Sequence, residues 1–262
     1  MAYQCQKYTG AVFCEKEYPE FDDPIQGNVQ NCSFIASLSS VVWVTNIIAK
    51  LATSSSYNVL GSTVSEDLWL DPTKNPSFAY ARSKDQSEIW PGIYEKAYAK
   101  NCDASKFSWP PTAKNPLGDL TGCQKRDPLP VSFGQIVGLC YQGKTVRPMV
   151  IHTNTTISEG PDQMKPDHAY SVLGHTKINT IDYLVLRNPL GIVYTGYSNT
   201  NVNLTNTWTV NDTVWDCKNP SKTSPLTSRG PKTIQFGQNG IFAIKASVLG
   251  TYFSSYIFSG YP

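Results

Sequence analysis

The feature that most constrains this chain is a cysteine at the start of an apolar helical pattern, with a glutamine six residues before it. Cys32 follows Asn31, a good helix N-cap residue, and precedes the apolar run that begins at Phe34. Free backbone N–H groups at a helix start lower the pKa of a thiol, and the thiolate is its nucleophilic form. The Gln26 amide could donate a hydrogen bond to an oxyanion. The alternative is an ordinary buried or disulfide-bonded cysteine, which is common in proteins.

Composition excludes several classes of protein. The 262 residues suffice for one large domain or two lobes. The net charge of +2 and the lack of a basic cluster argue against binding to nucleic acid or an anionic membrane. No apolar run approaches the roughly 20 residues of a membrane span.

Acceptor patterns for N-glycosylation indicate the secretory pathway. They begin at Asn154, Asn203 and Asn211, in predicted loops or strand edges. We therefore expect a secreted glycoprotein with disulfide bonds. A fourth pattern begins at Asn31, where a glycan would block the candidate nucleophile, so we expect this position to be unmodified.

The cysteine count supports a free thiol at position 32. The chain has seven cysteines, many for a reducing compartment. Six of them could form three disulfides: Cys5, Cys14, Cys102, Cys123, Cys140 and Cys217. The odd cysteine of a secreted chain indicates a reactive thiol or an intermolecular link. The pairing is open, and we favour Cys5–Cys14 and Cys102–Cys123.

The chain is predicted to be helical first and β-rich second. Helical patterns begin at Asn31 and cover Trp90–Lys100 and Val131–Gly138. Short β-branched and aromatic runs then predict four strands, namely Met149–His152, Ala169–Leu173, Tyr183–Arg187 and Ile241–Ile244. We expect an α+β fold with a helical lobe over residues 1–143 and a β-rich lobe over 144–262. The cleft between the lobes would hold the substrate.

A thiol nucleophile needs a base, and the base needs an orienting group. The histidines are His152, His168 and His175. His168 stands where a loop enters a predicted strand, and Asn188 follows the next strand. Antiparallel pairing would bring the Asn188 amide oxygen to the ring N–H of His168. The other two histidines are competing bases, and structural roles for His168 and Asn188 are the alternative.

These residues resemble calpain-type cysteine proteases, which have the papain fold. The similar segments are Gln26–Leu38, Ser87–Trp90, Tyr94–Lys100, Asp167–Val172, Arg187–Pro189, Gly240–Phe242 and Val248–Phe253. They occur in the family's order and cover the protease core alone. The resemblance therefore implies a papain-like two-lobe fold with the active site in the cleft.

The resemblance also implies the roles of the candidate residues. Cys32 would be the nucleophile, His168 the general base and then acid, and Asn188 the orienting group. Gln26 would form the oxyanion hole with the Cys32 backbone N–H. The expected reaction is hydrolysis of a peptide bond through a thioester. We expect a monomer acting on a protein or peptide, with no nucleic-acid or membrane partner.

Two other functions stay open. One is a papain-fold acyl transferase or amidase acting on glutamine side chains, as in transglutaminases and protein glutaminases. The other is a non-catalytic binding module.

Three residues depart from the family's pattern. Gln30 replaces a glycine, while Ser33 and Leu190 replace tryptophans. The second tryptophan normally shields the His–Asn hydrogen bond, so its replacement predicts a wetter and weaker pair here.

Calpain cores carry a calcium site in each lobe. Asp23 and Glu88 fall on ligand positions of the first site, and carboxylate oxygens suit calcium. In the second lobe Tyr194, Asn239 and Ile241 replace acidic residues. We expect that no cofactor is required and that at most one calcium ion binds, in the first lobe. A purely structural role for Asp23 and Glu88 is the alternative.

Overall fold

The computed structural model describes residues 4–7, 18–48, 56–70, 79–85, 88–101, 116–124, 126–157, 164–193, 201–218 and 225–260. The helices are α1 (Cys32–Val44), α2 (Trp90–Asn101), α3 (Pro116–Thr121), α4 (Phe133–Gly138) and α5 (Leu249–Tyr252), the last preceded by a 3₁₀ turn at Ala246–Val248. The strands are β1 (Gln4–Lys7), β2 (Ser56–Val59), β3 (Ser62–Ser65), β4 (Asp67–Leu70), β5 (Leu129–Pro130), β6 (Cys140–Tyr141), β7 (Lys144–Thr145), β8 (Met149–Thr153), β9 (Ala169–Ile178), β10 (Ile181–Arg187), β11 (Val202–Asn203), β12 (Thr207–Val214), β13 (Thr227–Gln235), β14 (Ile241–Lys245) and β15 (Phe253–Phe258).

One large antiparallel sheet forms the C-terminal part of the chain, residues 126–260. Within the described ranges it has nine strands, with the order β11-β14-β10-β9-β8-β15-β5 and with β6 and β7 attached beside β9. β12 and β13 form a separate hairpin, and β1–β4 and β2–β3 are small pairs in the N-terminal part, residues 4–124. The mixed architecture confirms the expected α+β class. The division at residue 143 stays a prediction.

The large sheet separates two hydrophobic cores because successive residues of a strand face opposite sides. On β10, Tyr183 and Val185 pack in the core that contains α1. Leu184 and Leu186 pack in the other core, with residues of β14 and β15. Arg187 continues the row that faces α1, which brings a charged side chain into the interior.

Helix α1 lies at the centre of the molecule. Its residues from Phe34 to Val44 are all buried, so the helix has no exposed face. Trp43 Nε1 donates to the carbonyl of Leu173 (2.7 Å), and Ser171 Oγ donates to that of Ala36 (2.8 Å). These bonds fix β9 along the helix, with the start of the strand directed toward the start of the helix.

The predicted elements lie close to those observed, with different ends. Helix α1 stops at Val44, before the apolar pattern ends at Leu51, because Thr45 is extended and its N–H and hydroxyl both bond the Val41 carbonyl. Among the described ranges no helix combines the length and apolarity needed to cross a membrane.

The structure tests neither of the two favoured disulfide pairs, Cys5–Cys14 and Cys102–Cys123. The side chains of Cys5, Cys14 and Cys102 lie outside the described residues. The sulfur of Cys123 lies 2.7 Å from that of Cys217, and the Cys102–Cys123 pairing stays a prediction.

Candidate active site

Cys32 is the first residue of α1, and a buried carboxyl group holds the residue before it. Asn31 stands at the N-cap position, but its side chain makes no capping bond and donates instead to Glu95 Oε1 on α2. Glu95 Oε2 accepts the backbone N–H of Ala81 (2.8 Å). Burial raises the pKa of Glu95 to about 7. Sequence reasoning missed this contact, although Glu95 lies in a segment that resembles the family.

His168 and Asn188 meet across two neighbouring strands. β9 and β10 pair antiparallel, with Ser171 opposite Arg187. His168, just before β9, and Asn188, just after β10, are therefore close together. His168 Nε2 and Asn188 Oδ1 are 3.1 Å apart, within hydrogen-bond distance. The Asn188 backbone N–H donates to the Gly240 carbonyl (2.9 Å), which fixes the turn that presents its amide. The predicted pair is therefore assembled.

The expectation that the His168–Asn188 hydrogen bond is exposed to water is wrong. His168 is 5% exposed and Asn188 is 2% exposed, although Leu190 replaces the family's tryptophan. The Tyr170 ring meets the His168 ring edge-on, with centroids 5.0 Å apart, and contributes to its enclosure.

The Cys32 sulfur faces the segment that carries His168. The backbone N–H of Ala169, the next residue, interacts with the Cys32 thiol, as does that of Ser33. Burial nevertheless raises the pKa of Cys32, because desolvation of the thiolate outweighs these two N–H groups. The helix start was expected to lower the pKa of Cys32. Burial outweighs that effect, so the protonated thiol is the favoured form.

His168 is held in its neutral form over most of the pH range. Burial lowers its pKa to about 4, while the hydrogen bond to Asn188 acts in the opposite sense. A neutral imidazole can accept a proton, as a general base must. In a thiol–imidazole pair, a proton moved from thiol to ring creates two charges that stabilise each other.

The two competing histidines have other contacts. His152 Nε2 lies 3.4 Å from Ser33 Oγ, beside the nucleophile segment, and burial lowers its pKa. His175 meets the Phe133 ring edge-on. Neither shows a hydrogen bond to Asn188 in the described part of the chain, so the geometry favours His168 as the base.

Gln26 lies on the loop that leads to Cys32 and contacts the turn that carries Asn188. Its backbone N–H donates to the Pro189 carbonyl (2.8 Å). Its Nε2 donates one hydrogen bond to the Val29 carbonyl (2.7 Å). An amide nitrogen has two protons, so this bond leaves donor capacity for an oxyanion. Oε1 is buried with no hydrogen-bond partner among the described residues.

A buried guanidinium fixes these segments to one another. Arg187 is 0% exposed and donates from Nη2 to the carbonyls of Asp22 (2.7 Å) and Pro24 (2.8 Å). Its Nη1 donates to Ser39 Oγ on α1 (3.2 Å). Burial lowers the pKa of Arg187 to about 10. Arg187 therefore joins the strand before Asn188 to helix α1 and to the segment before Gln26.

The candidate calcium ligands already have hydrogen-bond partners. Asp23 Oδ2 accepts the N–H of Glu20 (2.7 Å) and Nε1 of Trp90 (3.2 Å). Glu88 Oε2 accepts the hydroxyl of Ser83 (2.8 Å). Burial, and then the Glu88 charge, raise the pKa of Asp23 to about 7.

A lysine supplies the cation beside these carboxylates. Lys84 Nζ lies 2.9 Å from Asp22, 3.2 Å from Glu20 and 3.8 Å from Asp23. Although burial opposes it, the three carboxylates raise the pKa of Lys84. A calcium ion on Asp23 Oδ1 would lie within about 6 Å of this ammonium, and the like charges would repel. The carboxylates of Glu20, Asp22 and Asp23 lie close enough together to share one cation, and Lys84 supplies it in this structure. A calcium ion in the first lobe stays a prediction.

A thiol at the start of a buried helix, beside a histidine oriented by an asparagine, is the arrangement of papain-like cysteine hydrolases. Residues 9–229 match the sequence profile described as calpain family cysteine protease. The chain therefore belongs to the calpain family of cysteine proteases. It is also 29% identical to a thiol protease of Porphyromonas gingivalis over 215 residues. That match covers 66% of this chain and 44% of the relative, so this chain matches less than half of that protein.

We predict that Glu95→Ala destabilises the fold and disturbs Cys32. The buried donors of Asn31 and Ala81 would lose their acceptor, at a cost of about 1–3 kcal/mol for each. Denaturant unfolding measures this loss of stability. The alkylation rate of Cys32, measured at a temperature where the variant is folded, shows whether the reactivity of the thiol has changed. Glu95→Gln keeps one acceptor oxygen for Asn31 but none for Ala81, so its loss of stability should be smaller than that of Glu95→Ala. Unchanged stability and alkylation in Glu95→Ala would contradict this role.

We also predict the acid limb of activity. As the pH falls through about 4, His168 becomes protonated and can no longer accept a proton. The kcat/KM of peptide hydrolysis should therefore fall with a midpoint near pH 4, with circular dichroism confirming that the protein stays folded. His175→Ala should keep the same midpoint. A midpoint near 6.5, the value of an ordinary histidine, would show that burial does not control the base.

Proposed function

We propose that this protein is a secreted calpain-like cysteine endopeptidase. The observation that carries the proposal is the buried His168–Asn188 hydrogen bond, formed next to the residue that faces the Cys32 thiol. A binding module would have no need of this pair in a water-excluded position. Its proposed substrate is a protein or peptide.

In the proposed reaction His168 takes the Cys32 proton as the sulfur attacks the peptide carbonyl. The resulting oxyanion accepts hydrogen bonds from Gln26 Nε2 and from the Cys32 backbone N–H, which belongs to the unpaired first turn of α1. His168 then protonates the leaving amine, and a thioester remains on Cys32. Water, deprotonated by His168, hydrolyses the thioester, while Asn188 keeps the ring in one orientation.

Secretion and glycosylation are part of the proposal. The acceptor residue Asn211 lies on β12, where Ser228 donates to its side-chain oxygen at an exposed position. Asn31, by contrast, is 1% exposed and bonded to Glu95, so a glycan there is incompatible with this fold. We therefore propose that Asn31 is unmodified and that Asn154, Asn203 and Asn211 are the acceptors.

Three variants and a control test the catalytic roles. Cys32→Ala should abolish peptide hydrolysis, because no other group forms the thioester. His168→Ala should lower kcat by about 10²–10⁴-fold and Gln26→Ala by about 10²–10³-fold. His175→Ala, which removes a histidine from the strand that follows His168, should keep activity near that of the wild type.

Product analysis separates the proposed function from its alternatives. With a peptide and a primary amine present, mass spectrometry should find cleaved peptide bonds and intact glutamine side chains. Deamidated or amine-linked glutamine would instead identify an amidase or acyl transferase. Equal activity in wild type and Cys32→Ala would refute the thiol mechanism.

We propose further that catalysis needs no calcium ion, because Lys84 already neutralises the carboxylates of Asp22 and Glu20. A first-lobe calcium ion on Asp23 and Glu88 would have to displace or tolerate that ammonium.

The expected result is a kcat/KM that changes less than two-fold between EGTA and millimolar calcium, and a thermal midpoint that calcium leaves unchanged. Lys84→Gln, which removes the ammonium without adding an acid, should lower the midpoint and make it rise with calcium. Activity lost in EGTA and restored by calcium in the wild type would overturn this proposal.

A further inference from the structure

Two cysteines outside the catalytic site lie closer than unbonded sulfurs pack. Cys123 follows helix α3, and Cys217 follows strand β12. Their sulfurs are 2.7 Å apart, against about 2.05 Å in a disulfide bond. Both thiols lie within reach of one carbonyl, that of Thr121, at 3.7 Å and 3.9 Å.

The segments that carry this pair are held in place by buried contacts. The Thr121 hydroxyl donates to the Leu117 carbonyl (2.6 Å) and lies 2.7 Å from Ser259 Oγ. On the other side, the Trp215 backbone N–H donates to the Val44 carbonyl at the end of α1 (2.8 Å). Since both backbones are fixed by the core, the two sulfurs cannot move far apart in the folded protein.

We propose that Cys123 and Cys217 form a disulfide bond that covalently joins the N-terminal and C-terminal parts of the protein. The bond would close a ring over residues 123–217, which contains both His168 and Asn188. The segment after β12 would thus be tied to the segment after helix α3, which packs on α1.

The bond leaves the nucleophile free. The pair lies near the end of α1, whereas Cys32 begins the helix, and the 13 residues of α1 separate these ends by about 18 Å. The disulfide is therefore a stabilising link and takes no part in thioester formation.

The oxidant is a small disulfide, such as glutathione disulfide. Cys123 is half-buried and Cys217 is 0% exposed, so the Cys123 thiolate attacks first and releases one glutathione thiol. Cys217 then loses its proton and attacks the Cys123 sulfur of the mixed disulfide, releasing the second glutathione thiol. The two protein thiols lose two electrons and two protons, and glutathione disulfide is reduced to two thiols.

Cys217 would otherwise be an inert thiol. Burial, and then its contact with Cys123, raise its pKa to about 12. Cys217 therefore reacts only after Cys123 has formed a mixed disulfide next to it.

Peptide mapping tests the bond directly. The folded chain is incubated with glutathione disulfide, its remaining thiols are blocked with N-ethylmaleimide during denaturation, and the digest is analysed by mass spectrometry. We expect a peptide that joins Cys123 to Cys217 and disappears after reduction. Free Cys123 and Cys217, or Cys123 joined to Cys102, would overturn the proposal.

A second measurement tests the effect on stability and does not depend on proteolytic activity. Reduction of the oxidised wild type should lower the thermal midpoint by about 5–15 °C. The double variant Cys123→Ser/Cys217→Ser should have the lower midpoint and a smaller response to reductant than the wild type. Cys140→Ser, which removes another half-buried thiol, should respond as the wild type does. An equal response in the double variant would contradict the stabilising role, and if this variant fails to fold, the peptide map still decides.

Discussion

The arrangement of the site depends on the buried guanidinium of Arg187. It donates to two carbonyls of the segment before Gln26 and to the Ser39 hydroxyl on α1. It also precedes Asn188 in the chain. Its charge is met by carbonyl and hydroxyl oxygens and by the nearby charges of Asp22 and Asp23. Loss of a buried charge that bonds several segments is strongly destabilising, because the groups it served stay buried without a partner. Three separate stretches of sequence therefore converge at one point of the interior.

The charged groups near Arg187 are paired with other residues of the protein. The carboxylates before Gln26 face Lys84 from the N-terminal part, while Lys232 reaches Glu20 at 3.5 Å and Asn239 donates to Asp22 at 2.8 Å from the C-terminal part. These contacts join the two parts of the chain on the side of the oxyanion-hole loop. Burial favours a neutral Cys32 thiol and a neutral His168 imidazole, so in the proposed reaction proton transfer to His168 accompanies nucleophilic attack.

Periodicity and motif order predicted the α+β fold, the start of α1 and the meeting of His168 with Asn188, because antiparallel pairing of adjacent strands follows from local patterns. Contacts between distant segments could not be predicted in this way. The bond from Asn31 to Glu95 and the approach of Lys84 to the carboxylates depend on how loops fold back on the core. The enclosure of His168 without the family's tryptophan is likewise a result of tertiary packing. The approach of Cys123 to Cys217 could not be predicted for the same reason, since the two residues are 94 positions apart.

In the proposed mechanism Cys32 is a nucleophile that His168 activates. The most direct test is stoichiometric labelling of the native protein with an epoxysuccinyl inhibitor, followed by mass mapping of the seven cysteines. We expect one inhibitor molecule per chain, attached to Cys32. The labelling rate should fall by orders of magnitude in His168→Ala and stay unchanged in His175→Ala. An unlabelled Cys32, a label on another cysteine, or Cys32 found in a disulfide of the native protein would contradict this mechanism.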